Sequence, residues 1–331
     1  MTHTRRRTFA RALTAGTAGT WILTGSSGHL PARDWVGYGR HIPRARWPND
    51  ALIVVNIVVN YEEGGELALL DDGVNDSWGE SPGVIAPDIR DLGTESDMEY
   101  GSRVGVWRLC RIFDDFGVDV TFSACGRALE RNPAICAWLQ ERTHDVQGHG
   151  YRWYGPDTPS AGGHDREAER REIADCVNVV EKLVGQRIRG WNVRSLPTVH
   201  TRELLVEHGG FLYDSDAVND ELPYFTAVGT ARFLVVPYTK VHNDARYFIP
   251  PTYASPRHFF ESLKLGLDYL VDEAEHGHGE RMMSVGLHPR WSGHPHRAAA
   301  VRDFIEYALE KDGVAFMRRI DIAEHWLRVH A

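Results

Sequence analysis

Two adjacent glutamates, Glu62 and Glu63, follow the apolar run of residues 52–59 (LIVVNIVV) and precede Gly64 and Gly65. Carboxylates at the end of a buried strand are placed to act as a general base or as metal ligands. A regular strand would turn the two side chains to opposite sides, but the glycines permit a turn that brings both toward one cavity. Two carboxylates held close raise the pKa of one of them, as a base near neutral pH requires. The alternative is a pair of solvated loop glutamates that cap the next helix.

Polar residues also end other apolar runs. His149 lies in GHGYRW, His288 ends SVGLHP, and Arg194 and Asp214 lie in GWNVRS and FLYDSDA. A single histidine is more often structural than catalytic. The set as a whole predicts an acid–base site, because the carboxyl ends of successive parallel strands meet at one face of a barrel.

Short β-rich runs alternate with amphipathic helical patterns from Ala51 onward. Ile173, Val177, Val180 and Val184, for example, repeat at the period of about 3.6 residues that is typical of a helix. About seven repeats of strand and helix predict an α/β fold whose parallel sheet closes into a barrel. The predicted strands are residues 51–59, 118–125, 145–150, 188–195, 211–217, 233–239, 282–289 and 314–319.

The segment from Leu67 to Asp97 differs from this alternation. It is rich in Gly, Pro, Asp and Ser and shows no helical or strand period. We therefore predict a long surface loop, and loops of this length commonly serve as lids or assembly arms.

Composition limits the partners of the chain. Its 331 residues are 42% hydrophobic and 25% charged, with a net charge of -9. No run reaches the roughly 18 apolar residues of a spanning helix, so we predict a soluble globular protein without a membrane partner. The lack of a basic stripe argues against a nucleic-acid partner. The four cysteines form no CxxC pair and are predicted to be buried thiols.

Residues 1–30 have a composition of their own. Arg5, Arg6 and Arg7 precede Phe9 and a weakly apolar stretch, a pattern that resembles a twin-arginine export signal. No A-x-A cleavage site follows, and a disordered extension is the alternative. An export signal implies a protein exported by the twin-arginine route, and its absence a cytoplasmic one. Residues 31–331 are predicted to form a single domain.

Several stretches together resemble one known family. From about Arg33 to Trp326 the chain resembles the polysaccharide deacetylase superfamily, in the branch of metal-independent allantoinases, cyclic imide hydrolases and related peptidoglycan deacetylases. The resemblance implies a distorted (β/α) barrel. It rests on RDWVGYGRH, RWPND, NYEEGGE, MEYGSRVGVWRL, GHGYRW, GGFLYDSDAVNDELPY, VVPYTKVHND, MMSVGLH and RRIDIAEHW.

The resemblance also implies how the site is divided. In metal-dependent members the first acid of the strand-end pair is the general base, and the second binds a metal with two histidines four residues apart. Glu62 matches the base, Glu63 the ligand and His149 the first histidine, but the second position is Trp153. Zinc sites use at least three protein ligands. The resemblance therefore implies no tightly held cofactor; a divalent metal such as zinc, if bound, would use Glu63 and His149.

Further roles follow from the same resemblance. It implies that His288 is the general acid, that Arg194 orients the catalytic carboxylate and that Asp214 supports the site. Substrate contacts are expected from Glu63, His149, Trp153, Asn243 and Asp244. It also implies a homo-oligomer, for example a tetramer, with residues 67–97 as a candidate contact.

The predicted function is hydrolysis of a carbon–nitrogen bond other than a peptide bond. Without a metal, Glu62 would activate water for attack on a small-molecule amide or cyclic imide such as an allantoin-like ring, and His288 would protonate the leaving nitrogen. The stretch VRSLPTVHT places His200 where the allantoinase pattern has asparagine, so allantoin itself is not assigned. The alternatives are a metal-dependent N-deacetylase of cell-wall or chitin-like amino sugars and a catalytically silent carbohydrate-binding or assembly protein.

Overall fold

The computed structural model describes residues 33–76, 88–153, 165–194 and 197–331. Contacts within the chain group Val36–Ala331 into one compact unit. The twin-arginine pattern at residues 5–9 lies outside the described residues. The predicted division at residue 30 stays a prediction.

A curled parallel sheet occupies the centre of residues 36–331. Its order is Tyr224–Val228 (β6), Ala231–Val235 (β7), Tyr213–Asp214 (β5), Gly190–Trp191 (β4), Asp145–Gly148 (β3), Thr121–Ala124 (β2), Ile53–Tyr61 (β1) and Arg281–Leu287 (β8). Val314–Phe316 (β9) also pairs with β1. All pairings are parallel except the β6–β7 hairpin. The predicted α/β barrel-like fold is confirmed, with the sheet curled into a half barrel.

Helices follow most strands and cover the outside of the sheet. A π-helical turn at Gly101–Gly105 connects helix Leu92–Tyr100 to helix Val106–Phe116 without a break in the helical backbone. The helices of the described residues are Leu69–Asp72 (α1), Leu92–Tyr100 (α2), Val106–Phe116 (α3), Gly126–Arg131 (α4), Pro133–Gln140 (α5), Arg166–Val184 (α6), Thr201–His208 (α7), Pro256–Glu275 (α8), Pro289–Ser292 (α9), Pro295–Leu309 (α10) and Arg319–His330 (α11). No described helix is long and apolar enough to cross a membrane.

Strand β1 is buried along its whole length, as expected for a parallel strand covered on both faces. Ile53, Val55 and Ile57 pack into the large apolar cluster formed with the helices. Asn56 and Asn60 lie on the other face and bond to groups of β8 and its surroundings. Because side chains alternate between the two faces of a sheet, this pattern determines the face toward which the residue after β1 points.

A buried arginine joins the two sides of the barrel interior. The guanidinium of Arg319, at the start of α11, donates to Asn56 Oδ1 on β1 and to Ser284 Oγ on β8. It also donates to Ser215 Oγ after β5 and to the Pro237 carbonyl after β7. Because β8 and β7 do not pair directly along the sheet order, these bonds link strands that the sheet itself leaves apart.

Two sequence predictions need correction. The described part of segment 67–97 is not one long loop, because it contains helix α1 and the start of helix α2; residues 77–87 lie outside the described residues. Helix α2 begins at Leu92 and is capped by Asp91, whose carboxylate accepts a bond from the backbone N–H of Thr94. Its apolar pattern is weak, with Met98 as its one buried apolar side chain, so periodicity does not reveal it. Strand β6 was also missed, since it is short and only half-buried. The four cysteines are free and buried, as predicted.

Candidate active site

Three residues that follow different strands meet at the carboxyl end of the sheet. Glu62 follows β1, His149 follows β3 and His288 follows β8. Glu62 Oε1 accepts a hydrogen bond from His149 Nε2 at 3.0 Å and lies 3.6 Å from His288 Nε2. All three side chains are buried. The parallel topology thus brings together residues that are 87 and 226 positions apart (149 − 62 and 288 − 62).

Arg290 completes the surroundings of Glu62. Its guanidinium donates to Glu62 Oε2 at 2.7 Å, and its side chain is almost fully buried. The arginine lies in α9, the short helix that begins directly after His288. Sequence reasoning missed Arg290. The signal that marks it is a charged residue in the otherwise apolar and turn-forming stretch HPRWSG, immediately after a strand-end histidine.

Asp244 fixes the orientation of His288. Its Oδ1 accepts from His288 Nδ1 at 2.6 Å, and its Oδ2 accepts from the His288 backbone N–H and from Ser292 Oγ. The contact with Nδ1 leaves Nε2 directed toward Glu62. Asp244 was predicted to contact substrate; it is instead the buried partner of His288. Asn243, predicted likewise, caps the turn that carries Asp244 by accepting from the backbone N–H of Ala245.

These contacts set the charges of the site. Burial raises the pKa of Glu62, but Arg290 and His288 outweigh burial and hold the pKa well below its ordinary range. Burial lowers the pKa of His288, but the carboxylates of Asp244 and Glu62 outweigh it and raise the pKa to about 9. At neutral pH the site therefore pairs an ionised carboxylate with a protonated imidazole, which is the charge state that a base and an acid need before they act.

Glu63 lies beside the same guanidinium as Glu62, with its Oε1 3.6 Å from Arg290. Its Oε1 accepts from the Arg290 backbone N–H at 3.0 Å, and its carboxyl group packs against Gly101 of the π-helical turn, where a Cβ atom would overlap it. The prediction of a common cavity stays a prediction, with both carboxyl groups buried next to Arg290. Burial raises the pKa of Glu63 to about 7, with Glu62 adding to the rise and Arg290 opposing it. The raised pKa belongs to Glu63 and not to the candidate base.

Arg194 is linked to Glu62 through Trp153 and Arg290, whereas the resemblance implied a direct role. It donates to both carboxylate oxygens of Asp76 and to the backbone carbonyl of Trp153. Its guanidinium carbon lies 3.3 Å from the centre of the Trp153 ring. Trp153 is buried and its ring faces Arg194; the predicted stacking of the ring on a substrate stays a prediction. Arg290 makes the contact with Glu62 that Arg194 was expected to make.

Asp214 reaches the site only through a chain of contacts. It pairs with Arg202 at 2.7 Å and accepts from the backbone N–H of Asp216. Asp216 in turn accepts from Asn192, whose carbonyl lies against Nδ1 of His149. Asp214 is therefore linked to His149 through Asp216 and Asn192.

Comparisons with known proteins identify the family of the chain. A model of the family described as polysaccharide deacetylase matches residues 97–201. A relative from Schizosaccharomyces pombe that carries a polysaccharide deacetylase name is 32% identical over 319 residues, which cover 90% of this chain and 98% of the relative. The chain belongs to the polysaccharide deacetylase family.

Two solved structures of this family's fold are similar over the same extent. One is a probable polysaccharide deacetylase from Pseudomonas aeruginosa PAO1, 38% identical with a TM-score of 0.84. The other is Puue allantoinase, 37% identical with a TM-score of 0.82. Each comparison covers 90% of this chain and 98% of the other. Family and neighbours together support a hydrolase acting on carbon–nitrogen bonds other than peptide bonds.

The metal centre of other family members does not fit the residues present here. Within the described ranges, no group of three or more His, Cys, Asp or Glu side chains is placed to hold a metal ion. Glu63 accepts backbone bonds on both oxygens, and each ring nitrogen of His149 contacts a protein oxygen. The two residues named as ligands therefore already have protein partners, and a zinc ion would need at least one ligand more.

Proposed function

We propose that this polysaccharide deacetylase family member hydrolyses an amide or cyclic amide bond of a small molecule without a metal, with Glu62 as general base and His288 as general acid. One observation carries the proposal. Glu62 Oε1 lies within 3.6 Å of the Nε2 atom of His288, whose other ring nitrogen is held by Asp244. An ionised carboxylate and an oriented imidazolium are thus placed side by side in a buried site.

The reaction follows from these positions. Glu62 accepts a proton from a water molecule, and the resulting hydroxide adds to the substrate carbonyl carbon. His288 then donates its Nε2 proton to the leaving nitrogen as the carbon–nitrogen bond breaks. Glu62 ends protonated and His288 neutral, and passage of one proton through solvent restores both for the next turnover.

The low pKa of Glu62 favours its ionised form but makes it a weaker base. It keeps the carboxylate ionised at every pH near neutrality, but each unit of lowering weakens the proton affinity by up to about 1.4 kcal/mol. The compensating effect must therefore come from stabilisation of the oxyanion by the cationic groups around Glu62, namely Arg290 and protonated His288. Such fixed charges in a site that excludes water are commonly the largest contribution to catalysis.

The burial of the reacting groups supports a compact substrate. Glu62 is 2% exposed and His288 is 8% exposed. A long polymer lying across an open groove would need these groups at the surface, whereas a small ring can enter a buried site. The similarity to Puue allantoinase over 90% of the chain also supports a small cyclic amide of the allantoin or imide class.

A parallel substrate screen tests the proposal. Allantoin, hydantoins, succinimide-type imides, formamides and N-acetylglucosamine oligomers would each be incubated with the full chain, with and without chelator. We expect turnover of a cyclic amide that chelator leaves unchanged. The variant Glu62→Gln should lose roughly 100-fold or more of this turnover. Glu66→Gln should lose little, because the buried Glu66 carboxylate accepts from the Gly64 backbone N–H.

Several outcomes would contradict the proposal. Full turnover by Glu62→Gln on every hydrolysed substrate would remove the base assignment. Stoichiometric zinc together with chelator-sensitive activity would favour a metal-dependent N-deacetylase. Binding of glycan oligomers without turnover of any compound in the screen would favour a silent carbohydrate-binding protein.

A further inference from the structure

Trp153 contacts two guanidinium groups at once. The guanidinium carbon of Arg194 lies 3.3 Å from the centre of the indole ring, and that of Arg290 lies 4.9 Å from it. A guanidinium over an aromatic face is stabilised by the ring quadrupole, and more strongly when both groups are desolvated. Since Arg290 also bonds to Glu62, the indole forms one side of the environment that places this cation.

The backbone of Trp153 is fastened on both sides. Its N–H donates to the Gly65 carbonyl at 2.8 Å, which ties it to the turn directly after Glu62. Its carbonyl accepts from Arg194, which is held by two bonds to Asp76. A Cβ atom at Gly65 would lie 3.3 Å from the Trp153 nitrogen, so the glycine allows this close approach. The indole therefore has a fixed position relative to the catalytic carboxylate.

Arg290 contacts two aromatic rings. Besides Trp153, the Trp291 ring lies 4.3 Å from its guanidinium carbon, and that ring also packs against His288. The cation is buried, so the rings and the Glu62 carboxylate replace part of its lost hydration. An aliphatic side chain at position 153 would fill space but would offer no negative face to the guanidinium.

We propose that Trp153 is a positioning residue that holds Arg290 against Glu62, and that Arg194 acts one contact further out by fixing Trp153. The inference rests on the proposed role of Glu62 as general base. It assigns a function to the aromatic residue that stands at the position of a metal-binding histidine in other family members. It also explains why Arg194 is buried near the site although Arg290 makes the contact with Glu62.

Two variants of Trp153 separate positioning from packing. Trp153→Phe keeps an aromatic face, whereas Trp153→Leu keeps only apolar volume. We expect kcat to fall roughly tenfold or more in the leucine variant with KM nearly unchanged, and no more than about threefold in the phenylalanine variant. Trp326→Leu and Trp326→Phe are the matched controls, because Trp326 is equally buried but packs against Trp47 in a separate apolar cluster. Both leucine variants should lower the melting temperature, but only Trp153→Leu should lower kcat.

A second measurement does not depend on turnover. The carboxyl carbon resonance of Glu62, assigned by its absence in Glu62→Gln, reports its ionisation directly. In the wild type Glu62 should stay ionised down to low pH, whereas in Trp153→Leu its titration should move to higher pH, because Arg290 no longer offsets burial. If Glu62→Gln were fully active, the proposed function would fail, but this titration would still test the contact.

A mutant cycle tests the place of Arg194. Arg194→Met, made together with Asp76→Asn so that no unpaired buried charge is left, should reduce kcat less than Trp153→Leu. Added to Trp153→Leu, it should cause no further loss, because it acts through the indole. Equal kcat in the leucine and phenylalanine variants, a loss expressed in KM, or additive effects in the cycle would each overturn the proposal.

Discussion

Replacing Asp244 with asparagine would test the acid assignment through pH. Asparagine keeps an acceptor for His288 Nδ1 but removes the negative charge that, with Glu62, raises the pKa of His288 from 6.5 to about 9 against the effect of burial. If the pKa returned to about 6.5, the protonated fraction at pH 8 would fall from about 0.9 to about 0.03, a loss of roughly 30-fold. At pH 5.5 both forms would be about 0.9 protonated or more, so this effect would nearly vanish.

The assay is kcat/KM from pH 5 to 10 for both proteins on a substrate found by the screen. The wild-type profile should fall as the pH rises through about 9, because a general acid must be protonated to act. The Asp244→Asn profile should begin to fall two or more units lower. Ser292→Ala is the matched control, since it removes a hydroxyl bond to the same carboxylate but no charge. A loss of the same size at pH 6 and pH 8 would refute the reasoning, since Asp244 would then act only by orientation.

Two further substitutions test the framework around the site. Gly105→Ala should lower kcat in a steady-state assay, because its Cβ would overlap the Pro289 carbonyl and displace the turn that carries Arg290. Val104→Ala, at an exposed position of the same helical turn, is the control and should leave kcat unchanged. Arg319→Met should lower the free energy of unfolding by about 3–5 kcal/mol in urea titrations. An effect below about 1 kcal/mol would show that its bonds are not needed to hold the strands together.

Sequence patterns identified the fold because its main strands are long or strongly apolar. Strand β1 was predicted within two residues of its ends, since a parallel strand buried on both faces reads as a continuous apolar run. Strand β6 and helix α2 were not predicted, because one is half-buried and the other buries little apolar surface. Their positions depend on the hairpin with β7 and on packing against α9, and neither contact leaves a local period in the sequence.

The strand-end residues were also readable, but their partners were not. Glu62, His149 and His288 each end an apolar run, and parallel topology alone predicts that they meet. The pairing of Asp244 with His288 spans 44 positions and is set by the turn after β7. Arg290 was overlooked because the family pattern supplied another arginine. Local pattern therefore gives the reacting groups, while the groups that tune their pKa values depend on three-dimensional packing.

The charges around Glu62 give a physical reason to expect metal-independent chemistry. Arg290 lies 2.7 Å from Glu62 Oε2 and 3.6 Å from Glu63 Oε1, so a buried positive charge already faces both acids. A divalent cation bound by either carboxylate would lie within a few ångströms of that guanidinium, and repulsion at such distances costs several kcal/mol even at an effective dielectric constant of about 20. Removing the guanidinium, in contrast, would leave Glu62 buried without its main cation. We therefore propose that Trp153 and Arg290 act together: the tryptophan stands in place of a metal ligand, and the arginine it holds supplies the positive charge that lowers the pKa of Glu62.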